Sequence, residues 1–350
     1  MKNTIIAKSR DRGDEVRQFI IEHVEEHPMD IVTQASHAFG ISRQAVSKHM
    51  RRLVEEGVLT AEGSTRNRRY ALRARVKKDL TYFLEGLQED VVWRKDIAPL
   101  LADLPGNVKE IWNYGVTEML NNAVDHSSGS VVVVRVTVTA AASQIVIADN
   151  GEGIFQKISR EFGLDDACHA ILELAKGKFT TDPERHTGQG IFFSSRMFDH
   201  FTIVSGRTAF LRNSVKNLDF IQDIPESAEG TTVIMKLRNH ATHTSKEIFD
   251  AFTSGDDYGF TKTIVPVRLA QYGEESLVSR SQAKRLLARF DRFRVVVLDF
   301  KGVESIGQAF TDEVFRVFVK DHPQTSVLAV NTAVEVQQMI ERARGELSGA

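Results

Sequence analysis

The chain has 350 residues, of which 42% are hydrophobic and 26% charged, and its net charge is −2. This length and composition suffice for two or three globular domains with sizeable cores. The sequence has no apolar run of membrane-spanning length, its N-terminus lacks the apolar core of a signal peptide, and its single cysteine, Cys168, excludes an internal disulfide. We therefore expect a cytoplasmic protein with no membrane partner.

Residues 1–75 are predicted to form three helices and a hairpin. Residues 1–80 carry 16 lysines and arginines against 11 acidic residues, so this end of the chain is basic. Apolar residues recur at helical spacing from Val16 to Val24, a short segment follows at Ile31–Phe39, and Ser42 is a plausible N-cap for a third helix. Residues 58–60 and 70–72 are predicted strands, joined by a basic loop.

Over about residues 12–75 this pattern resembles a winged helix-turn-helix DNA-binding domain, an α+β fold. The resemblance implies that outward side chains of the third helix meet base edges while the basic loop grips phosphate. The candidate DNA-binding residues are Arg43, Gln44, Ser47, Lys48, Arg51, Arg52, Arg66, Arg68 and Arg69. The alternatives are a solvated basic face and a module for protein docking or dimerisation.

Residues 76–104 are predicted to be a helical linker. Val76, Leu80, Phe83, Leu84 and Leu87 have helical spacing. This helix is also a candidate surface for a homodimer.

Residues 114–127 (YGVTEMLNNAVDHS) are predicted to form a helix that bears a polar face. Glu118, Asn122 and either Asp125 or His126 lie at i, i+4, i+7 and i+8, so their side chains share one side of the helix. A carboxylate beside a carboxamide oxygen suits a hard cation such as Mg²⁺, with Asn122 as the metal ligand. Glu118, one turn earlier, is a candidate general base.

Two glycine-containing motifs follow this helix. Gly151 and Gly153 allow a tight turn behind Asp149, leaving its carboxylate available to an exocyclic amine such as that of adenine. Gly188 and Gly190 precede a predicted helix at 191–198, and backbone N–H groups at a helix N-terminus form a phosphate cradle. Together the pieces predict a nucleotide site.

The ordered set, over roughly Val91–Asn239, resembles the GHKL (Bergerat-fold) ATPases. The resemblance implies a two-layer α/β sandwich over residues 105–240, with a mixed sheet covered by helices on one face. It also implies that ATP and Mg²⁺ are bound, that Glu118 is the base and that Asp149 reads adenine. The candidate nucleotide-binding residues are Asn122, Asp125, His126, Asp149, Gly151, Gly153, Ile154, Lys178, Thr187, Gly188, Gln189, Gly190, Ile191 and Thr231.

Two features of this region remain open. The motif with His126 is that of anti-sigma-factor kinases and the one with Asp125 is that of gyrase-like ATPases, and the sequence satisfies both. The polar insert at 155–186 corresponds to the ATP lid of the family, in which Lys178 or Arg185 would contact phosphate.

Residues 255–350 alternate predicted strands with predicted helices. The run from Val295 to Phe315 (VVVLDFKGVESIGQAFTDEVF) resembles the STAS fold, an α/β domain of anti-sigma-factor antagonists. Gln308 and Ala309 occupy the positions of the regulatory serine, with Ser305 and Thr311 nearby. The resemblance implies a protein partner, and the replaced serine favours a docking or sensing module.

Two functions follow from this order of domains. The leading hypothesis is an ATP-binding transcriptional regulator in which nucleotide alters how the winged helix meets DNA. The alternative is an anti-sigma-type serine/threonine kinase that acts on a STAS-domain partner. A gyrase-like clamp would need a transducer domain, and the sequence identifies none.

Overall fold

The computed structural model describes residues 2–64, 67–178, 188–253, 259–271 and 276–348. The helices are α1 (Lys2–His23), α2 (Ile31–Phe39), α3 (Arg43–Glu55), α4 (Glu89–Val92), α5 (Gly106–His126), α6 (Ile154–Phe162), α7 (Ala167–Lys176), α8 (Gly190–Met197), α9 (Ser245–Phe252), α10 (Arg280–Leu287), α11 (Gln308–Asp312), α12 (Phe318–Asp321) and α13 (Val334–Ser348). The strands are β1 (Leu59–Glu62), β2 (Arg69–Leu72), β3 (Val76–Phe83), β4 (Val131–Val138), β5 (Ala142–Asp149), β6 (His200–Asn213), β7 (Leu218–Arg238), β8 (Lys262–Pro266), β9 (Val295–Asp299) and β10 (Ser326–Val330).

The N-terminal module consists of α1, α2, α3 and the antiparallel hairpin β1–β2. Its core is separate from that of the rest of the chain and includes Ile20, Ile31, Val46 and Met50, all nearly inaccessible to solvent. The side chain of Ser42 accepts from Ala45 N and caps α3, because the first N–H groups of a helix have no partner within it. Apolar periodicity and capping therefore place α3 where the sequence predicts it.

A short junction connects this module to the next sheet. Arg73 N donates to Val58 O within the module, and Arg75 N donates to Val138 O in β4. Ala74 thus lies between Arg73, whose N–H is bonded to the N-terminal module, and Arg75, whose N–H is bonded to the central sheet. An ion pair between Glu25 and Lys236 joins the two bodies elsewhere.

The prediction of a helical linker over 76–104 is wrong in its first part. Residues Val76–Phe83 form strand β3, which pairs antiparallel with β4. Val76, Leu80 and Tyr82 are partly buried and lie at even-numbered positions, as residues on one face of a strand do. Over so short a run, the four-residue step from Val76 to Leu80 also fits one face of a helix. The sheet supplies backbone partners that sequence spacing alone does not reveal. The second part is helical, comprising α4, a π-helical turn (Trp93–Ile97) and a 3₁₀ turn (Ala98–Leu101).

The central sheet has the strand order β3-β4-β5-β7-β6. Every neighbouring pair is antiparallel, so the prediction of a mixed sheet is corrected. Two of the four pairs are antiparallel for a local reason, since short turns join β4 to β5 and β6 to β7 as hairpins, and hairpins impose antiparallel pairing. The pairs β3–β4 and β5–β7 join strands that are distant in sequence.

Helices cover one face of this sheet, as the sequence predicts. Ile145 pairs with Val136 on one side and with Met235 on the other, and all three side chains are buried. Successive strand residues point to opposite faces, so this register places one apolar row beneath the helices. On that face Trp112 of α5 donates its indole N–H to Ser143 Oγ at 2.8 Å, which fixes α5 over β5.

The insert after β5 is only partly the polar segment that the sequence predicts. Residues 154–176 form α6 and α7, and the last turns of α7 are buried. Within α7, Lys176 and Glu173 are both about 1% exposed and form an ion pair at 2.6 Å. Lys176 also donates to the carbonyls of Arg285 and Ala288, so α7 is bound to the C-terminal domain. Residues 179–187, including Arg185, lie outside the described residues.

The C-terminal domain is built on a parallel sheet with the order β10-β9-β8. Its apolar core is continuous with that of the central sheet. Phe192 and Phe193 of α8 contact Phe260 with ring centroids 4.6 and 5.1 Å apart, and Phe260 contacts Phe293 at 5.4 Å. This aromatic cluster makes α8 a shared wall of the two domains.

Within the described ranges, no helix combines the length and the apolar character required to cross a bilayer.

Candidate functional site

A cleft of about 270 Å³ lies between α5, α6, α8 and the central sheet. Its walls include the predicted base, Glu118, and most of the predicted nucleotide-binding residues: Asn122, His126, Asp149, Ile154, Gly188, Gln189, Gly190, Ile191 and Thr231. Residues separated by more than one hundred positions therefore meet in one cavity. This clustering is what a single binding site requires.

The polar face of α5 forms one wall. Glu118, Asn122 and His126 line the cleft, whereas Asp125 is exposed and is not among the lining residues. Of the two residues that the sequence leaves open, the structure places His126 in the cleft and Asp125 outside it. Tyr114 lies one turn before Glu118, and burial together with the charge of Glu118 raises the pKa of its hydroxyl.

Glu118 faces the first turn of α8. A Cβ atom placed on Gly190 would lie 2.0 Å from Glu118 Oε2, which is less than any real contact. Gly190 is the first residue of α8, so the carboxylate is held beside the N–H groups that begin this helix. Any side chain at position 190 would therefore force the Glu118 carboxylate to move.

Asp149 is held by the backbone around it. Its Oδ1 accepts from Gly151 N at 2.9 Å and from Thr231 N at 3.2 Å. Burial raises the pKa of this carboxyl above its ordinary value, and the two N–H donors oppose that shift. Both of these donors reach the same oxygen, which leaves Oδ2 to accept from a ligand.

Thr231 connects β7 to the loop that follows Asp149. Its hydroxyl accepts from Ile154 N at 2.9 Å at the start of α6, while its own N–H binds Asp149. Gly151 packs against the end of α5, where an added Cβ would lie 2.1 Å from Ser127 O. These contacts position Asp149 at the base of the cleft.

The other predicted residues fall elsewhere. Gly151 and Gly153 support the loop behind the cleft without lining it. Lys178 is not brought to the cleft: its ammonium donates to Arg292 O at 2.8 Å and lies 4.8 Å from the centre of the Phe293 ring. Thr187 lies outside the described residues.

Several lining residues escaped the sequence prediction, among them Lys157 and Leu174. Lys157 projects from the first turn of α6, and its Nζ donates to His126 O at 2.8 Å. No motif marks Lys157, which reaches the cleft because the start of α6 packs against the end of α5. Leu174 lines the cleft from α7, and no motif marks it.

The donor set determines what cation the cleft could hold. No group of three or more His, Cys, Asp or Glu side chains with metal-binding geometry occurs among the described residues. Asn122 Nδ2 lies 4.0 Å from Met119 Sδ, which leaves the amide oxygen as the donor atom toward the cleft. One amide oxygen with the Glu118 carboxylate nearby fits Mg²⁺, since Mg²⁺ takes few protein ligands and completes its shell with phosphate and water.

The predicted DNA-binding residues lie on the surface of the N-terminal module. The side chains of α3 in this set are exposed, as are Arg68 and Arg69 in and before β2. Arg52 is engaged with Glu56 at 2.6 Å. Arg66 lies outside the described residues.

The helix-covered sheet and its cleft define an α/β sandwich with one polar cleft between sheet and helices. Residues 90–213 match the protein-family model of the histidine kinase-like ATPase domain, and residues 282–337 match the STAS-like domain of unknown function (DUF4325). The chain therefore carries a histidine-kinase-like ATPase domain of the GHKL class followed by a STAS-like domain. No curated protein was found to match the chain.

Proposed function

We propose that the chain is an ATP-dependent regulator of transcription, in which Mg-ATP in the cleft alters how the N-terminal module meets DNA. A GHKL-class domain implies ATP binding, and with the STAS-like domain it supports a regulatory function. The observation that carries the proposal is the convergence of Asn122, Asp149 and Gly190 on one cleft. The domain division at 1–75, 105–240 and 255–350 is part of this proposal, with strand β3 now assigned to the sheet of the second domain.

Each end of the cleft suits one end of ATP. Asp149 Oδ2 offers a half-buried acceptor for the adenine amine, and the start of α8 offers N–H donors for phosphate. Asn122 holds Mg²⁺, and Mg²⁺ when bound neutralises phosphate charge. Glu118 accepts a proton from the attacking water or hydroxyl.

Calorimetric titration with ATP and Mg²⁺ tests the site. Asn122→Ala should abolish binding, because the amide oxygen is the proposed metal ligand. Glu118→Gln should bind ATP and fail to turn it over. Asn113→Ala and Glu110→Gln are matched controls, since both residues are exposed on the same helix and do not line the cleft. Normal Mg-ATP binding by Asn122→Ala would refute the metal assignment.

The proposed binding of DNA depends on the exposed basic residues of α3 and the β1–β2 hairpin. Arg51→Ala and Arg68→Ala should each lower DNA affinity and reduce the dependence of log affinity on log salt by about one unit. Lys78→Ala, an exposed change on β3, is the control. DNA affinity measured with and without Mg-ATP tests whether nucleotide binding alters DNA binding. Identical affinities in the two states would refute this part of the proposal.

A serine/threonine kinase is the second candidate, and the position of His126 in the cleft favours it. Within the STAS-like domain, Thr311 is about 1% exposed and donates its hydroxyl to Gly307 O, whereas Ser305 is exposed. Ser305 is thus the better acceptor of the two. Following γ-labelled phosphate separates the functions, because label on protein supports the kinase and label released as free phosphate supports the switch.

A further inference from the structure

A second cavity, of about 390 Å³, lies between the β6–β7 hairpin and the STAS-like domain. It is separate from the nucleotide cleft and shares no lining residue with it. Five cationic side chains line it, against the two carboxylates of Asp219 and Asp299. The cations are Arg196, Arg212, Lys262, Arg268 and Lys301.

The position of this cavity follows from the parallel sheet of the C-terminal domain. Pro266, Asp299 and Val330 are the last residues of β8, β9 and β10, they stand in register, and all three line the cavity. Loops beyond the carboxyl ends of parallel strands are the usual binding edge of an open α/β sheet. Here the β6–β7 hairpin closes that edge, and Lys301 Nζ donates to Lys216 O at 2.7 Å across the boundary.

Several polar atoms at this boundary are buried with unused hydrogen-bonding capacity. Arg196 is about 8% exposed, and its Nη atoms donate to the carbonyls of Phe192, Ala175 and Ile264. Its Nε, together with Arg212 Nε and Asp219 Oδ1, has no hydrogen-bond partner among the described residues. Burial lowers the pKa of Arg196 well below its ordinary value, so the site disfavours a guanidinium that lacks a compensating anion.

The remaining groups divide into donors and acceptors. Within the described residues, the side chains of Lys262 and Arg268 form neither a hydrogen bond nor an ion pair. Arg212 Nη1 donates to Asp219 Oδ2 at 2.5 Å, and Asn331 Nδ2 donates to Asp299 Oδ1 at 2.9 Å. The excess of cations calls for an anion, while the unpartnered oxygen of Asp219 calls for a hydroxyl or amino donor.

We propose that this cavity binds a small phosphorylated ligand that carries hydroxyl groups, with the phosphate at Lys262 and Arg268 and a hydroxyl at Asp219. Such a ligand bridges the ATPase domain and the STAS-like domain, because each contributes part of the wall. The site goes beyond the ATP cleft and needs no nucleotide turnover.

Calorimetric titration of the full chain with ribose 5-phosphate tests this site, with ribose and inorganic phosphate as partial ligands. The sugar phosphate should bind more tightly than either. Lys262→Gln with Arg268→Gln should weaken binding roughly a hundredfold, at about tenfold for each charge-assisted contact. The matched double variant Arg294→Gln with Lys320→Gln removes the same charge at exposed positions outside the cavity and should bind as the unaltered chain does.

The Asn122→Ala variant tests whether ribose 5-phosphate binds in the ATP cleft instead. This variant should bind ribose 5-phosphate normally. The proposal is overturned by loss of binding in that variant, by undiminished binding in the Lys262/Arg268 variant, or by no binding up to about 10 mM. Hydrogen exchange of the unaltered chain gives an independent reading. Ligand should slow exchange at 214–219 and 299–303, and protection confined to the surroundings of Glu118 would also overturn the proposal.

Discussion

At the scale of single residues, the two carboxylates of the nucleotide cleft are held in different ways. Glu118 lies against the first residue of α8, close enough that a Cβ atom there would displace its carboxylate. Asp149 lies at the base, where two backbone N–H groups hold one oxygen and leave the other for a ligand. The first carboxylate occupies space that a glycine leaves open, and the second is held by hydrogen bonds.

Gly190→Ala tests the steric placement. The new methyl group would displace the Glu118 carboxylate and intrude where phosphate meets the N–H groups of α8. We expect Mg-ATP affinity to fall at least about tenfold, or about 1.4 kcal/mol, in a calorimetric titration. Gly106→Ala is the control, because Gly106 begins α5 and an added Cβ there meets nothing within 4 Å. Equal affinities for the two variants would contradict this role of Gly190.

Asp149→Asn separates binding from stability. If the amide oxygen of Asn keeps the two hydrogen bonds from the backbone, its NH₂ group faces the ligand. The NH₂ group and the adenine amine are then both donors, and no hydrogen bond forms between them. We expect Mg-ATP binding to be lost, while the melting temperature at neutral pH rises, because the amide removes a charge from a half-buried position.

The pH dependence of that stability difference has a definite sign. Burial raises the folded-state pKa of Asp149 above its ordinary value, so the cost of the buried charge is present above the folded pKa and disappears as pH falls through it. The advantage in melting temperature of the Asp149→Asn variant over the unaltered chain should therefore shrink on acidification. A constant difference from neutral pH down to about pH 4, near the ordinary pKa of an aspartate, would contradict the assigned shift.

At the scale of elements, α7 is the link between the ATPase domain and the STAS-like domain. Glu173 accepts from Lys176 at 2.6 Å and from Arg289 at 2.6 Å, and Lys176 O accepts from Thr263 Oγ1 at 2.7 Å. Leu174, between the two charged residues of this helix, lines the nucleotide cleft. One helix therefore contacts the cleft on one side and the C-terminal domain on the other.

Lys176→Met should destabilise the protein by about 3–5 kcal/mol, because it removes one member of a buried ionic group and leaves two carbonyls without a donor. Urea unfolding measures the change. Lys246→Met removes an exposed ion pair with Asp250 and should cost at most about 1 kcal/mol. A loss for Lys176→Met no larger than that of the control would show that the network adds nothing to stability.

The sequence predicts most of the cleft, because its residues lie in short motifs whose geometry is local: a helix face, a turn and a helix start. It fails where the deciding partner is distant in sequence. Val76–Phe83 is a strand because β4 pairs with it, and Lys178 leaves the cleft because the C-terminal domain offers a carbonyl and an aromatic ring. Leu174 is part of the cleft through tertiary packing alone.

At the scale of the whole molecule, the described part of the chain has two hydrophobic cores rather than three. One belongs to the N-terminal module, and the other runs through the ATPase and STAS-like domains without a break. The aromatic cluster around Phe260 lies at the boundary of the two larger domains. Two domains with one core are expected to unfold together.

Calorimetric unfolding should therefore show two transitions. Ile20→Ala should lower the free energy of unfolding of the N-terminal module by about 2–5 kcal/mol and shift only its transition to lower temperature. Phe260→Ala should lower the free energy of unfolding of the larger body by about 3–5 kcal/mol and shift only the other transition. Both side chains are nearly inaccessible in their respective cores. Three transitions, or a shift of both transitions by either change, would contradict the division into two cores.

The junction at Ala74 sets the mechanics of the whole assembly. Arg73 N is bonded to one body and Arg75 N to the other, so only the backbone torsion angles of Arg73 and Ala74 lie between the two fixed points. A rotation at this point would displace each residue of the basic helix in proportion to its distance from Ala74. The ion pair between Glu25 and Lys236 opposes such a rotation, so we expect that re-aiming the helix requires this ion pair to break.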